Sequence, residues 1–184
     1  AALRKASGEV DEITRPKSKN KKDKGKAAPV IPPVVNKWIQ EPDSLRMEIF
    51  NDTIQAIPAI HYDTWQLLST QLRIVSAGIR IGEIKGKDIL PAHSLALSTA
   101  LNKEAFTCAE VSWDDAIKYL KKEALLLPTE IEKGYVLVCY QGFPLGFVKH
   151  LGNRANNLYP QEWRIRTGYI PEQVLLLTDY QQKR

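Results

Sequence analysis

The densest gathering of reactive side-chain types lies in LGNRANNLYPQEWRIR, Leu151 to Arg166, with three arginines, three asparagines, a tyrosine and a tryptophan in sixteen residues. The stretch is too polar for a core strand and too rich in large aromatics for an ordinary solvated loop. With Lys149 just before it, it carries the groups that grip a nucleic acid. Lys149, Arg154, Arg164 and Arg166 can neutralise phosphates, the arginine forks bidentately. Asn153, Asn156 and Asn157 offer amide donors and acceptors to sugar hydroxyls or base edges, and they tolerate the left-handed turns of a loop. Tyr159 and Trp163 can stack an unpaired base. Each role has a structural alternative: aromatics closing a core, asparagines forming turns, arginines on a solvated strand face.

No catalytic constellation accompanies these residues. His61, His93 and His150 lie far apart, and no pair has the helical spacing of metal ligands, so surface or satisfied core histidines are expected and no metal site. There is no Walker loop, no dinucleotide fingerprint and no nucleophile elbow. Gly78, Gly82 and Gly86 are separated by alternating isoleucines, a pattern of strands and turns rather than a phosphate cradle. Cys139 sits mid-strand between Val138 and Tyr140, and Cys108 has no cation nearer in sequence than Lys103. Both read as packing residues rather than activated thiols.

The elements that must position the opening stretch follow from periodicity. LRMEIFNDTIQAIP alternates about Asn51-Asp52, a hairpin signal. YDTWQLLSTQLRIV predicts a helix with Asp63 as N-cap and Trp65, Leu68 and Leu72 on one stripe. IVSAGIRIGEIKG predicts two short strands parted at Ala77-Gly78, and AHSLALSTAL a short apolar helix after Pro91. VSWDDAIKYLKKEAL is the clearest helix, with Ser112 as N-cap, Asp115 at its third position and lysines in its later turns. Tyr135–Tyr140 reads as a buried strand, Gly142-Phe143-Pro144 as a turn, and Leu145–Leu151 as the returning strand. A last apolar run, QVLLLTD, could close a small barrel.

The chain has 184 residues, 43% hydrophobic and 26% charged, which suits a globular protein with a real core. Its net charge of +5 is localised. Residues 1–33 hold nine basic against four acidic side chains, residues 34–144 eleven against fourteen, and residues 145–184 six against three. The leading stretch reads as a lysine-rich, disordered linker stiffened by Pro29, Pro32 and Pro33. No apolar run spans a bilayer and no secretory leader opens the chain, so no membrane partner and a cytoplasmic location are expected. The absent initiator methionine suggests a fragment or a processed chain.

VLVCYQGFPLGFVKHLGNRANNLYPQEWRIR resembles the C-terminal PUA-like RNA-binding module of RsmF-type ribosomal RNA cytosine-C5 methyltransferases of the Nol/Nop/Sun superfamily. The resemblance rests on Phe143-Pro144-Leu145-Gly146, Lys149, Gly152-Asn153, Asn157-Leu158-Tyr159-Pro160 and Trp163-Arg164-Ile165-Arg166. LRIVSAGIRIGEIKGKDILPAHSLALS through DDAIKYLKKEAL is similar to the first C-terminal domain of the same enzymes. The fold so implied is α+β, a small mixed α/β domain followed by a PUA-like β pseudo-barrel. Residues 1–36 would be the end of a catalytic domain and a basic linker, 37–124 the first C-terminal domain, and 125–184 the PUA-like domain. The resemblance implies RNA binding through Lys149, Asn153, Arg154, Asn156, Asn157, Tyr159, Trp163, Arg164 and Arg166, with small-subunit ribosomal RNA as partner. It also implies an upstream methyltransferase domain that uses S-adenosylmethionine, while this chain holds no cofactor of its own. Thr107-Cys108 copies a dipeptide of that chemistry but lacks its surroundings, so no catalytic role is expected. The competing reading is a module that docks on its own methyltransferase domain through apolar surface around Trp38, Ile39 and Trp65.

Overall fold

Asn51 and Asp52 both take left-handed backbone angles, φ 47° and 60°, as a two-residue hairpin turn requires. In the computed structural model of the chain, which describes residues 30–168, they join β1 (Leu45–Phe50) to β2 (Thr53–Pro58) with Ile49 opposite Ile54. β3 (Ile79–Lys85) and β4 (Asp88–Pro91) extend this to an antiparallel sheet of order β1-β2-β3-β4. A four-residue helix, α1 (Val34–Lys37), leads into it. A second sheet follows, built from β5 (Thr107–Glu110), β6 (Gly134–Tyr140), β7 (Phe143–His150) and β8 (Ala155–Asn157) in that order. β5 runs parallel to β6, which a hairpin cannot achieve, so a crossover helix, α4 (Trp113–Leu120), joins them. The class is α+β, as the sequence implies. Among the described residues the second sheet is open, and QVLLLTD lies outside them.

The alternation of β6 and β7 gives the second sheet two apolar faces. Leu137 and its register partner Phe147, with Cys139, join Val35, Trp38, Ile54, Ile81 and Leu95 in a core between the sheets. Val136, Val138 and Val148 face the other way and pack with Ala109, Tyr119, Leu125 and Ala155. Trp38, Phe106 and Phe147 form a ring ladder across the inter-sheet core, with centroids 5.3 and 4.8 Å apart. A short helix, α3 (His93–Ala96), rests on both β3 and β7. The order is sheet, sheet, helix.

Several expectations change here. β5 and α4 precede residue 125, where a boundary is expected, yet β5 pairs with β6 and α4 covers the second sheet. Trp38 and Ile39 are buried core residues, 6% and 2% exposed, and so present no docking surface. α2 (Tyr62–Gln71) forms as predicted, but His61 stands at its N-cap and Asp63 in its first turn. None of its residues is buried, and Leu67, Leu68 and Leu72 face solvent. Residues 74–77 form no strand, and Ile74 and Val75 are exposed. The β6–β7 turn falls at Gln141-Gly142, φ 50° and 76°, so Phe143 and Pro144 already belong to β7. The lysine-rich stretch through residue 29 lies outside the described residues.

Candidate nucleic-acid interface

α4 begins where the sequence places it. The Ser112 hydroxyl accepts from the Asp115 amide at 3.2 Å, a cap that stabilises a helix by about 1 kcal/mol. Asp115 in turn ion-pairs with Lys118 at 2.8 Å, and the hydrogen bond from Lys118 holds its carboxyl below the ordinary range. The helix ends at Lys121, with Lys122 left-handed at φ 64°. Its exposed carbonyls are then claimed by the stretch under scrutiny. The Asn157 amide donates to the Tyr119 and Glu123 carbonyls, both at 2.9 Å, and the Ile165 amide to the Leu120 carbonyl at 3.0 Å. Lys122 Nζ donates to the Tyr159 carbonyl at 2.6 Å. These bonds pin residues 157–165 along the end of α4.

The nine sequence-predicted residues therefore separate by environment. Arg154, Arg164 and Arg166 are exposed and have no ion-pair partner among the described residues. Asn153 and Asn156 are exposed on the β7–β8 turn and on β8. Asn157 is committed to the helix end, its Oδ1 accepting from the Tyr159 amide at 2.9 Å. Lys149 bonds Asp88 at 3.3 Å and lies 5.3 Å from the Tyr135 ring centroid, tying β7 to β4. Its pKa rises through the Asp88 hydrogen bond first and Tyr135 second.

The aromatics part company as well. Tyr159 is half-buried, edge-on to both His93 at 5.0 Å and Tyr119 at 5.5 Å. Trp163 also meets His93 edge-on, at 5.4 Å, but stays 57% exposed, leaving ring surface for a base. Gly146 makes this cluster possible: at φ 149° a Cβ there would sit 2.1 Å from Tyr119 Oη and 2.7 Å from His93 Nδ1. Tyr119 Oη donates to the Phe147 carbonyl at 3.1 Å, whereas His93 Nδ1 has no hydrogen-bond partner among the described residues and burial lowers its pKa. His93 is thus not the satisfied histidine expected of it, whereas His150 Nδ1 lies 3.3 Å from the Glu132 carbonyl. Sequence reasoning also missed Lys121 and Lys133, since nothing in the spacing shows that the end of α4 and the loop before β6 meet residues 151–166.

Residues 106–165 match the family described as the methyltransferase RsmF PUA domain. The chain carries an RsmF-type C-terminal region. "Ribosomal RNA small subunit methyltransferase F" of Shewanella sp. (strain W3-18-1) is 30% identical over 112 residues, 59% of this chain and 22% of that protein. The protein of the same name from Klebsiella pneumoniae (strain 342) is 28% identical over 100 residues, 54% of this chain and 20% of its own. That of Shewanella sp. (strain ANA-3) is 38% identical over 76 residues, 41% and 14%. The chain thus aligns with about a fifth of the length of the first two relatives.

Within this RsmF-type region the PUA match opens at Phe106, just ahead of β5, and ends at Ile165, the residue bonded to Leu120. Its span is the second sheet with α4, which accounts for the early start of that unit. A Cβ on Gly82 would lie 2.8 Å from the Leu90 carbonyl, so this glycine serves sheet packing. Cys139 is buried and its thiol is pushed up to about 12, by burial first and then by Cys108, which is exposed. Among the described residues, no group of His, Cys, Asp and Glu could hold a metal ion, and no helix is long and apolar enough to cross a membrane.

Proposed function

We propose that this chain is the RNA-binding region of an S-adenosylmethionine-dependent ribosomal RNA methyltransferase, holding small-subunit RNA so that a catalytic domain elsewhere in the polypeptide methylates C5 of a cytosine. The observation that carries the reading is the set of exposed arginines, Arg154, Arg164 and Arg166, which have no ion-pair partner among the described residues, on a PUA domain of RsmF type. Exposed guanidinium groups without acidic partners are free to take phosphates. Trp163 adds a stacking surface beside them, and Asn153 and Asn156 add amides for 2′-hydroxyls. The names of the relatives support ribosomal RNA as the ligand and methyl transfer as the reaction of the larger protein.

The test is RNA binding by the chain, wild type against Arg154/Arg164/Arg166→Ala, across a salt series. A salt-dependent affinity that collapses in the variant supports the reading. Equal binding by both proteins removes it from this surface.

A second reading, docking on a methyltransferase domain without RNA contact, is favoured by one observation. Leu67, Leu68, Leu72, Ile74 and Val75 are exposed on and after α2, a larger apolar display than solubility alone explains. On that reading the arginine variants leave methylation by the full-length protein untouched, while Leu67→Asp or Leu72→Asp reduces it.

A further inference from the structure

Lys121, Lys133, Arg154, Arg164 and Arg166 have no ion-pair partner among the described residues, and the fold places them toward the two ends of one short strand. At the start of β8 the turn is closed by the Leu151 amide donating to the Arg154 carbonyl at 2.9 Å. Gly152, at φ 102°, leaves room for Lys133: a Cβ there would lie 2.7 Å from Lys133 Cε and 3.5 Å from its Nζ. The Lys133 ammonium is thereby laid over the turn that carries Arg154. At the far end of β8, the Asn157 amide and the Ile165 amide fasten residues 157–165 to the end of α4. The Ile165–Leu120 bond sets the backbone that carries Arg164 and Arg166 against the end of α4, next to which Lys121 follows in sequence.

Glu123, Glu132 and Glu162 are the acids nearest in sequence, and none forms an ion pair with the five. β8 has three residues, so the Arg154 turn and the Asn157 attachment at its two ends stand roughly 10 Å apart along the strand. That span is a few nucleotides of one nucleic-acid strand. Exposed Asn156 lies between the two ends.

The geometry points to a phosphate-binding ridge along β8, in which Lys121 and Lys133 contact the RNA backbone together with Arg154, Arg164 and Arg166. The inference rests on the RNA-binding reading above and adds two residues outside the Leu151–Arg166 stretch. Lysines act on phosphates as point charges and carry no base code, so the ridge grips backbone irrespective of sequence.

The experiment is fluorescence anisotropy of a hairpin RNA with the whole chain across a salt series, for wild type, K121Q/K133Q and R164Q/R166Q. The expected result is a slope of log K against log salt shallower by roughly 2 in K121Q/K133Q, about 0.9 for each lost contact. Low-salt affinity falls roughly tens-fold with it, equally for a hairpin of scrambled sequence. A slope kept by K121Q/K133Q but lost by R164Q/R166Q overturns the ridge and leaves the RNA reading standing. Binding that both variants retain in full moves the site elsewhere and also overturns the ridge. No binding by the wild type overturns ridge and reading together. Unchanged thermal melting establishes that the variants are folded, and the single reversal Lys133→Glu repeats the test at the exposed turn.

Discussion

The Asn157 side-chain amide donates to the Tyr119 carbonyl at 2.9 Å, so the last residue of β8 serves as the C-terminal cap of α4. A second bond from the same nitrogen to the Glu123 carbonyl spans the left-handed residue Lys122. The amide looked like an RNA contact in the sequence, and the fold uses it to place Arg164 and Arg166.

Asn157→Asp removes both donors and sets a negative charge against helix-end carbonyls, which already carry partial negative charge. The expected loss is about 1–3 kcal/mol by chemical denaturation, with Asn157→Ala at the lower end. RNA affinity falls in both through displaced arginines, so the salt slope and the stability drop together.

Gly146→Ala is expected to be severe. Its Cβ would overlap Tyr119 Oη at 2.1 Å in a backbone conformation that L residues avoid. The loss should exceed about 3 kcal/mol, the range of buried steric and backbone strain combined. Adding Tyr119→Phe removes the hydroxyl, so the double variant recovers part of the loss; strictly additive denaturation energies would contradict the packing described.

Burial lowers the pKa of His93 from its ordinary value of 6.5. The unfolded chain therefore takes up this proton first as the pH falls. Stability from this site is complete above about 6.5 and is lost as the pH drops through that value toward the lower folded pKa. Thermal melting at pH 7.5 and pH 5.5 should show the drop, and His93→Gln should make it smaller.

Thiol chemistry separates the two cysteines. Cys108 is exposed, whereas Cys139 is buried with its thiol pushed up to about 12. A thiol reagent at pH 8 should modify one group in the native chain and both in denaturant. Fast modification of both natively would mean that the core between the sheets opens readily.

Much of the fold was legible, because its strongest signals are local. The Asn51-Asp52 turn, the Ser112 cap and the β6–β7 pair are written in adjacent residues and need no distant partner. β4, β5 and β8 escaped notice because they are three or four residues long and depend on neighbours from far along the chain. Asp63 was a reasonable cap by type, yet the helix starts two residues earlier, capped at His61 on a preceding 3-10 turn. At the candidate interface, residue type singled out Arg154, Arg164, Arg166 and Trp163, and the fold leaves all four exposed. It could not tell that Lys149 would be spent on Asp88 or Asn157 on a helix end, since both partners lie more than thirty residues away.

The core between the sheets has a consequence for how such proteins are assembled. Leu137, Cys139 and Phe147 belong to the stretch matched by the RsmF PUA family, yet the residues that cover them, Trp38, Ile54, Ile81 and Leu95, lie outside it. A piece excised at residue 106 would carry one side of its sheet bare and stick to its own copies. The smallest portable cassette is larger than the recognisable one, so the two sheets must be inherited, transplanted and redesigned as a pair.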